Sequence, residues 1–147
     1  MTATRVADEL EIRNLVARYA DCITRNDSEG WSQTWAEEGE WEVLGKVSRN
    51  RSGVTEHLHK LLGGLEFVAQ IASGGVVEFR DEGAIGRWTI TEHGVFKGGK
   101  PFFTLGLYKD DYVHREGAWL FARRIFHGIY IGDPDFSGGF NPPPAEF

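Results

Sequence analysis

Two polar residues stand on stretches that otherwise read as apolar β-strand, and that is where chemistry has to be sought first. Glu92 alternates with Trp88 and Ile90, so on a regular strand the three side chains share one face. If that face is internal, the carboxylate enters a pocket, and burial raises its pKa toward the range of a working base. The plainer alternative is an ion pair with Arg87 or Arg124. Arg124 lies between Ala122 and Phe126 on one face of the last strand. A guanidinium there needs a carboxylate, Glu92 or Asp110, or an anionic ligand.

The other titratable groups are weaker candidates. His93 follows Glu92 and reads as an exposed strand residue unless a bulge turns it inward. His127 comes three residues after Arg124, on the opposite face by alternation, with a pocket role only if the strand kinks before Gly128. His57 and His59 are two apart, whereas a helical metal pair needs a spacing of three or four. His114 stands beside a turn, and no metal site is expected. Cys22, the single cysteine, reads as ordinary helix packing and permits no internal disulfide. Tyr19 is either a core aromatic with a satisfied hydroxyl or a group that polarises a ligand oxygen. Trp31, Trp35, Trp41, Trp88 and Trp119 belong mostly to the core, with Trp31 or Trp88 available to line a pocket.

These groups must be positioned by helices near the start and strands after them. Residues 7–24 carry Ile12, Val16, Tyr19 and Ile23 at helical spacing, widened by Leu15 and Ala20. Asn26, Asp27 and Ser28 offer caps for a short helix holding Trp31 and Trp35. A strand from Trp41 to Val47, interrupted by Gly45, precedes a third helix from Thr55 to Leu62 that stops at Gly63 and Gly64. Four strands follow, at 76–80, 84–96, 102–113 and 118–131, and glycine-bearing turns between them give hairpin chemistry. The layout is α+β, a curved antiparallel sheet wrapped over helices. Residues 132–147 form a tail with four prolines and with Phe136, Phe140 and Phe147, suited to lying over something apolar, the pocket included.

Composition bounds the function. At 147 residues the chain is one domain, and 41% apolar with 13% aromatic residues argues against disorder. A net charge of −6 without a basic face argues against nucleic acid. Neither a signal-peptide core nor a membrane-length apolar run is visible, so a cytoplasmic protein with no membrane partner is expected.

In order and spacing, several segments together resemble the SnoaL-like proteins of the nuclear-transport-factor-2-like superfamily. They are Arg18-Tyr19-Ala20-Asp21, the stretch Trp35 to Trp41, Gly86-Arg87-Trp88, and Glu116 to Arg124. The patterns nearest to them are those of scytalone dehydratase, hexachlorocyclohexane dehydrochlorinase and bile-acid dehydratase. The resemblance implies a conical, cystatin-like α+β barrel whose strongly curved sheet encloses a pocket, and elimination or isomerisation without a cofactor. It also implies an aspartate ending the first helix and a histidine before the third strand, paired as a general base.

Carried over position by position, Tyr19 and Arg124 match the pattern, but the aspartate falls on Thr24 and the histidine on Gln70. Neither replacement removes a proton near neutral pH. By the same resemblance His93 lies near a second histidine, and Tyr108 near an asparagine that orients a carbonyl or hydroxyl. The expectation is therefore a cofactor-independent lyase or isomerase/cyclase on an apolar cyclic metabolite. Tyr19 and Arg124 would polarise oxygen and Glu92 or His93 would move the proton, with Thr24, Gln70, Trp88, Tyr108, Trp31 and His127 at the ligand. The alternative is a binding or accessory protein that kept the pocket and lost the base pair. A structural subunit is a third class sharing this fold. The partner expected is a small apolar or aromatic ligand, with a homo-oligomer, dimer or trimer, burying the outer sheet face.

Overall fold

A computed structural model describes residues 2–147; of the single domain expected over 1–147, only Met1 falls outside it. Helix α1 spans Ala3–Arg25, starting earlier than its apolar stripe because the Thr2 hydroxyl caps it, accepting from the Arg5 N–H at 3.2 Å. It ends at Asn26, whose left-handed backbone (φ 57°) sends its N–H back to the last carbonyls. Asp27 caps the short α2, Ser28–Ser32, by accepting from the Gly30 N–H. Trp31 sits in α2, but Trp35, expected in the same helix, opens strand β1, Trp35–Val43.

The interrupted strand expected around Gly45 is a hairpin. Leu44 and Gly45 both have positive φ, as a two-residue loop requires, and β1 returns as β2, Lys46–Arg49. Helix α3 follows at Asn50–Leu62 and is held to β2 where the buried His57 ring meets the Ser48 hydroxyl. The remaining strands are β3 Leu65–Phe79, β4 Ala84–Phe96, β5 Pro101–Arg115 and β6 Ala118–Gly132. Three of them match the hairpin reading, whereas β3 is three times the length expected. The added length runs through Gly74 and Gly75, and Gly75 is needed inside the sheet: a Cβ there would lie 2.3 Å from the Trp88 ring. A register shift between Ala72 and Gly74 absorbs the irregularity.

The expected strongly curved antiparallel sheet closing into a barrel is corrected by the topology. The sheet is open and mixed, in the order β2-β1-β6-β5-β4-β3, with β1 parallel to β6 and both β2 and β3 left as edges. Local turn chemistry reveals hairpins, but the β1–β6 pairing joins segments some 80 residues apart and has no turn to announce it. Among the described residues, three helices accompany this sheet, and none is long and apolar enough to cross a membrane.

Helices α1 and α3 pack on the inner sheet face, whose alternate residues are buried along β5 from Phe102 to Tyr112. At the centre of that face Arg124 and Asp110 stand directly opposite each other on β6 and β5. The guanidinium donates from Nε to Asp110 Oδ1 at 2.7 Å and from Nη2 to Oδ2 at 3.0 Å, with side-chain exposures of 1% and 0%. Tyr112 donates to the same carboxylate and Trp88 donates to Tyr112, each at 2.7 Å. Three rings enclose the cation: Tyr108 at 3.7 Å, Phe121 at 4.2 Å and Tyr19 at 4.3 Å from the guanidinium carbon.

The C-terminal tail runs over the other side of the sheet. Asn141 N–H donates to the Ile129 carbonyl, Phe136 and Phe140 pack on Tyr130, and Phe147 lies against His127. It covers outer-face side chains rather than the space between sheet and helices.

Removing the carboxylate from this pair strands a buried guanidinium. The Asp110→Ala variant is expected to lose about 3–5 kcal/mol in urea unfolding, whereas a loss below about 1 kcal/mol would show the pair to be dispensable.

Candidate functional site

A cavity of about 210 Å³ lies between α1, α3 and the inner sheet face. Leu58, Leu61 and Leu62 of α3 form one wall, Phe102, Phe126 and Ile131 the opposite one, and Trp41 with Val43 a third side. Its polar residues are few: Tyr19, Gln70, Glu92, Thr104 and Tyr108. Gln70, Glu92 and Thr104 stand side by side across β3, β4 and β5, so one row of the ladder carries all three to the same end of the cavity.

Within that row Glu92 accepts a hydrogen bond from the Gln70 amide nitrogen at 3.1 Å. Burial pushes the Glu92 pKa above its ordinary 4.5; Gln70 and the Thr104 hydroxyl across the ladder pull it part of the way back. No cation takes part. The hydroxyls of Tyr19 and Tyr108 lie 3.2 Å apart. Burial pushes Tyr108 up to about 12, against the opposing pull of Arg124, and raises Tyr19 well above 10.0. Both phenols therefore stay protonated as hydrogen-bond donors at neutral pH.

Of the residues expected at the site, Tyr19, Gln70, Glu92 and Tyr108 line this cavity. Arg124 does not: it sits behind the two tyrosine rings and is clasped by Asp110 through two hydrogen bonds, the structural pairing its sequence context left open. Burial works against its charge more than any single neighbour favours it, but the Asp110 carboxylate together with Tyr19, Tyr108 and Tyr112 outweighs that and raises its pKa. His93 stays on the outer face, packed on Phe103, because the ladder from Glu92 to Gly94 is unbroken and no bulge turns it. His127 is on the outer face too, in contact with the Asn141 carbonyl at 2.9 Å. Trp88 is buried as the donor to Tyr112, and Trp31 in a cluster with Tyr19, Trp35 and Trp41.

Thr24 and Gln70 do come together, though through the Gln70 backbone. The Thr24 hydroxyl accepts from the Gln70 N–H at 3.0 Å and faces its carbonyl at 3.4 Å. Thr24 opens onto a separate cleft of about 120 Å³ that shares Ile23, Leu62, Leu65 and Val68 with the main cavity wall. Thr104, Phe102 and Phe126 were missed as lining residues. Strand alternation from Tyr108 would have found Thr104 and Phe102, since all three are an even number of residues apart on β5. Among the described residues no group of three or more His, Cys, Asp and Glu side chains is placed to hold a metal ion.

Residues 4–125 match the sequence profile of the SnoaL-like domain. A search of curated proteins finds no match. Solved structures that superpose on the chain include hexachlorocyclohexane dehydrochlorinase LinA-type3 from Novosphingobium barchaimii, with TM-score 0.82 and 17% identity over 95% of this chain and 97% of that one. A protein of Novosphingobium aromaticivorans carrying a scytalone dehydratase assignment gives TM-score 0.84 and 19% identity over 97% of each chain. Rv3472 of Mycobacterium tuberculosis, whose function is unknown, gives 0.75 and 24% over 85% and 73%. At these identities the likeness establishes the fold.

The raised pKa of Glu92 links its protonation to folding. Its neutral form is favoured in the folded state, so this contribution to stability is complete below the ordinary pKa and is lost as pH rises through the raised one. Measured by urea unfolding, Glu92→Gln is expected to gain stability relative to the native protein as pH rises above the ordinary glutamate value of 4.5, the gain levelling off above the raised pKa. A difference independent of pH would contradict the assigned burial.

Proposed function

The chain belongs to the SnoaL-like family, and we propose that it is a binding protein for a small, compact, largely apolar molecule held in the cavity beside Glu92. One observation carries this reading: a cavity of about 210 Å³ whose wall is almost wholly apolar and whose few polar groups are largely paired with one another. An apolar cavity of about 150 Å³ in another protein takes up benzene, so one or two rings suit this volume. The aspartate–histidine base pair is replaced by Thr24 and Gln70, whose hydroxyl and amide move no proton.

A second reading has support in Glu92 itself. A carboxyl with a raised pKa, facing the Tyr108 side of an apolar cavity, is suited to taking a proton from carbon while a phenol donates to the oxygen on which charge develops. That would make the protein a cofactor-independent lyase or isomerase, in the reaction class of the dehydrochlorinase that shares its fold. With a turned-over substrate in hand, Glu92→Gln is expected to lower kcat about a hundredfold or more; unchanged turnover would remove Glu92 from any mechanism.

Occupancy tests the binding reading directly. Naphthalene is expected to bind the native protein and change the fluorescence of Trp41, which borders the cavity. Leu61→Trp, which puts an indole into the space from a partly buried position, is expected to weaken that binding at least about tenfold with little loss of Tm. Equal affinity in the two proteins would place the ligand elsewhere.

A further inference from the structure

Glu92 differs from the buried acid nearest the centre of the sheet in having no counter-ion. Asp110 is fully buried, and Arg124 clasps it through two hydrogen bonds, whereas Glu92 is half-buried. Glu92 forms no ion pair among the described residues; its neighbours are the neutral Gln70 amide and Thr104 hydroxyl. Among the described residues no Lys, Arg or His lines the cavity, and the buried cation Arg124 is separated from it by the rings of Tyr19 and Tyr108. Taking a carboxylate out of water without a cation is costly. Six aromatic residues, Tyr19, Trp41, Phe96, Phe102, Tyr108 and Phe126, border the same space. Ring faces attract cations, most strongly where water is excluded.

We propose that the ligand of this cavity is a lipophilic amine, a compact ring bearing one ammonium group that sits against the Glu92 carboxylate. The inference rests on the reading of the cavity as a binding site and adds the chemistry of the ligand's polar end. A ring hydrocarbon fills the space but leaves the carboxyl uncompensated. An alcohol offers it one hydrogen bond, and an anion is repelled. An ammonium supplies the missing charge, donates to the carboxylate oxygen not used by Gln70, and keeps its apolar body among the leucines and phenylalanines.

This choice has a pH signature. The groups facing Glu92 are Gln70 from β3, Thr104 and Tyr108 from β5 and Tyr19 from α1, and α3 contributes only leucines to the cavity. Both phenols titrate far above neutrality, and Arg124 behind them stays charged throughout. Glu92 is therefore the group whose ionisation controls binding below the amine's own pKa. Amine affinity rises with pH as the carboxylate forms, because the bound cation pairs with the ion and not with the acid.

Benzylamine, benzyl alcohol and toluene share one ring and one shape and separate the possibilities by calorimetric titration. In the native protein benzylamine is expected to bind at least about tenfold more tightly than benzyl alcohol at neutral pH, with the preference growing as pH is raised. Glu92→Gln is expected to abolish the preference and Glu92→Asp to keep part of it; thermal melting confirms that both variants are folded. Benzylamine binding no more tightly than the alcohol, or a preference that survives Glu92→Gln, overturns the ammonium assignment while leaving the cavity a binding site. If none of the three binds the native protein, the binding reading itself fails, and the assignment with it.

Discussion

The buried pair of Arg124 and Asp110 is the constraint around which the inner face is arranged. Neither charge is tolerable alone in that setting, and each removes the other's need for water. Their placement follows from strand register, since β5 and β6 bring Asp110 and Arg124 directly opposite each other, with Trp41 of β1 on the far side of Arg124. The guanidinium then serves as a platform. Tyr19 from α1, Tyr108 from β5 and Phe121 from β6 close over it, so one cation ties the first helix to two strands. Tyr112 donates a third hydrogen bond to the carboxylate, and Trp88, donating to Tyr112, extends the network to β4.

The same arrangement determines what the cavity holds. By pairing with Arg124 through two hydrogen bonds while aromatic rings cover the guanidinium, Asp110 withdraws the central inner-face cation from a ligand in the cavity. What reaches the cavity from that side is the outer ends of the two tyrosines, their hydroxyls in contact. The carboxyl left over is Glu92, two rungs along β4 from Ile90 and far enough from Arg124 to receive no help from it. An apolar chamber with two protonated phenols and one uncompensated carboxyl follows from a charge pair outside its lining. Fold membership alone would not have predicted this, because the same framework supports unrelated chemistries.

Much of this was legible in the residues. Period-2 alternation along β4 put Glu92 with Trp88 and Ile90, and the structure keeps all three on the inner face. The stripe through Ile12, Val16, Tyr19 and Ile23 marked the buried side of α1. Arg124 was recognisable as a charge needing a partner, but alternation cannot choose between Glu92 and Asp110; cross-strand register does, and register is a property of two strands at once. For the same reason the parallel β1–β6 pairing went unread, and with it the open, mixed character of the sheet. β3 was read only at 76–80, although it runs through Gly75, where Trp88 on the neighbouring strand leaves no room for a Cβ. The tail was read as adhesive, but nothing in a single chain of letters says which face of a sheet it will cover.

The claim most worth testing is that Glu92 is a half-buried carboxyl without a counter-ion. Carbon-13 NMR of the Glu92 side-chain carboxyl, followed against pH in the ligand-free protein, reads this directly. The account predicts a midpoint above the ordinary glutamate value of 4.5, since burial outweighs the two hydrogen bonds that favour the ion. A midpoint at or below that value would mean that a cation or water compensates the carboxylate, and would contradict it.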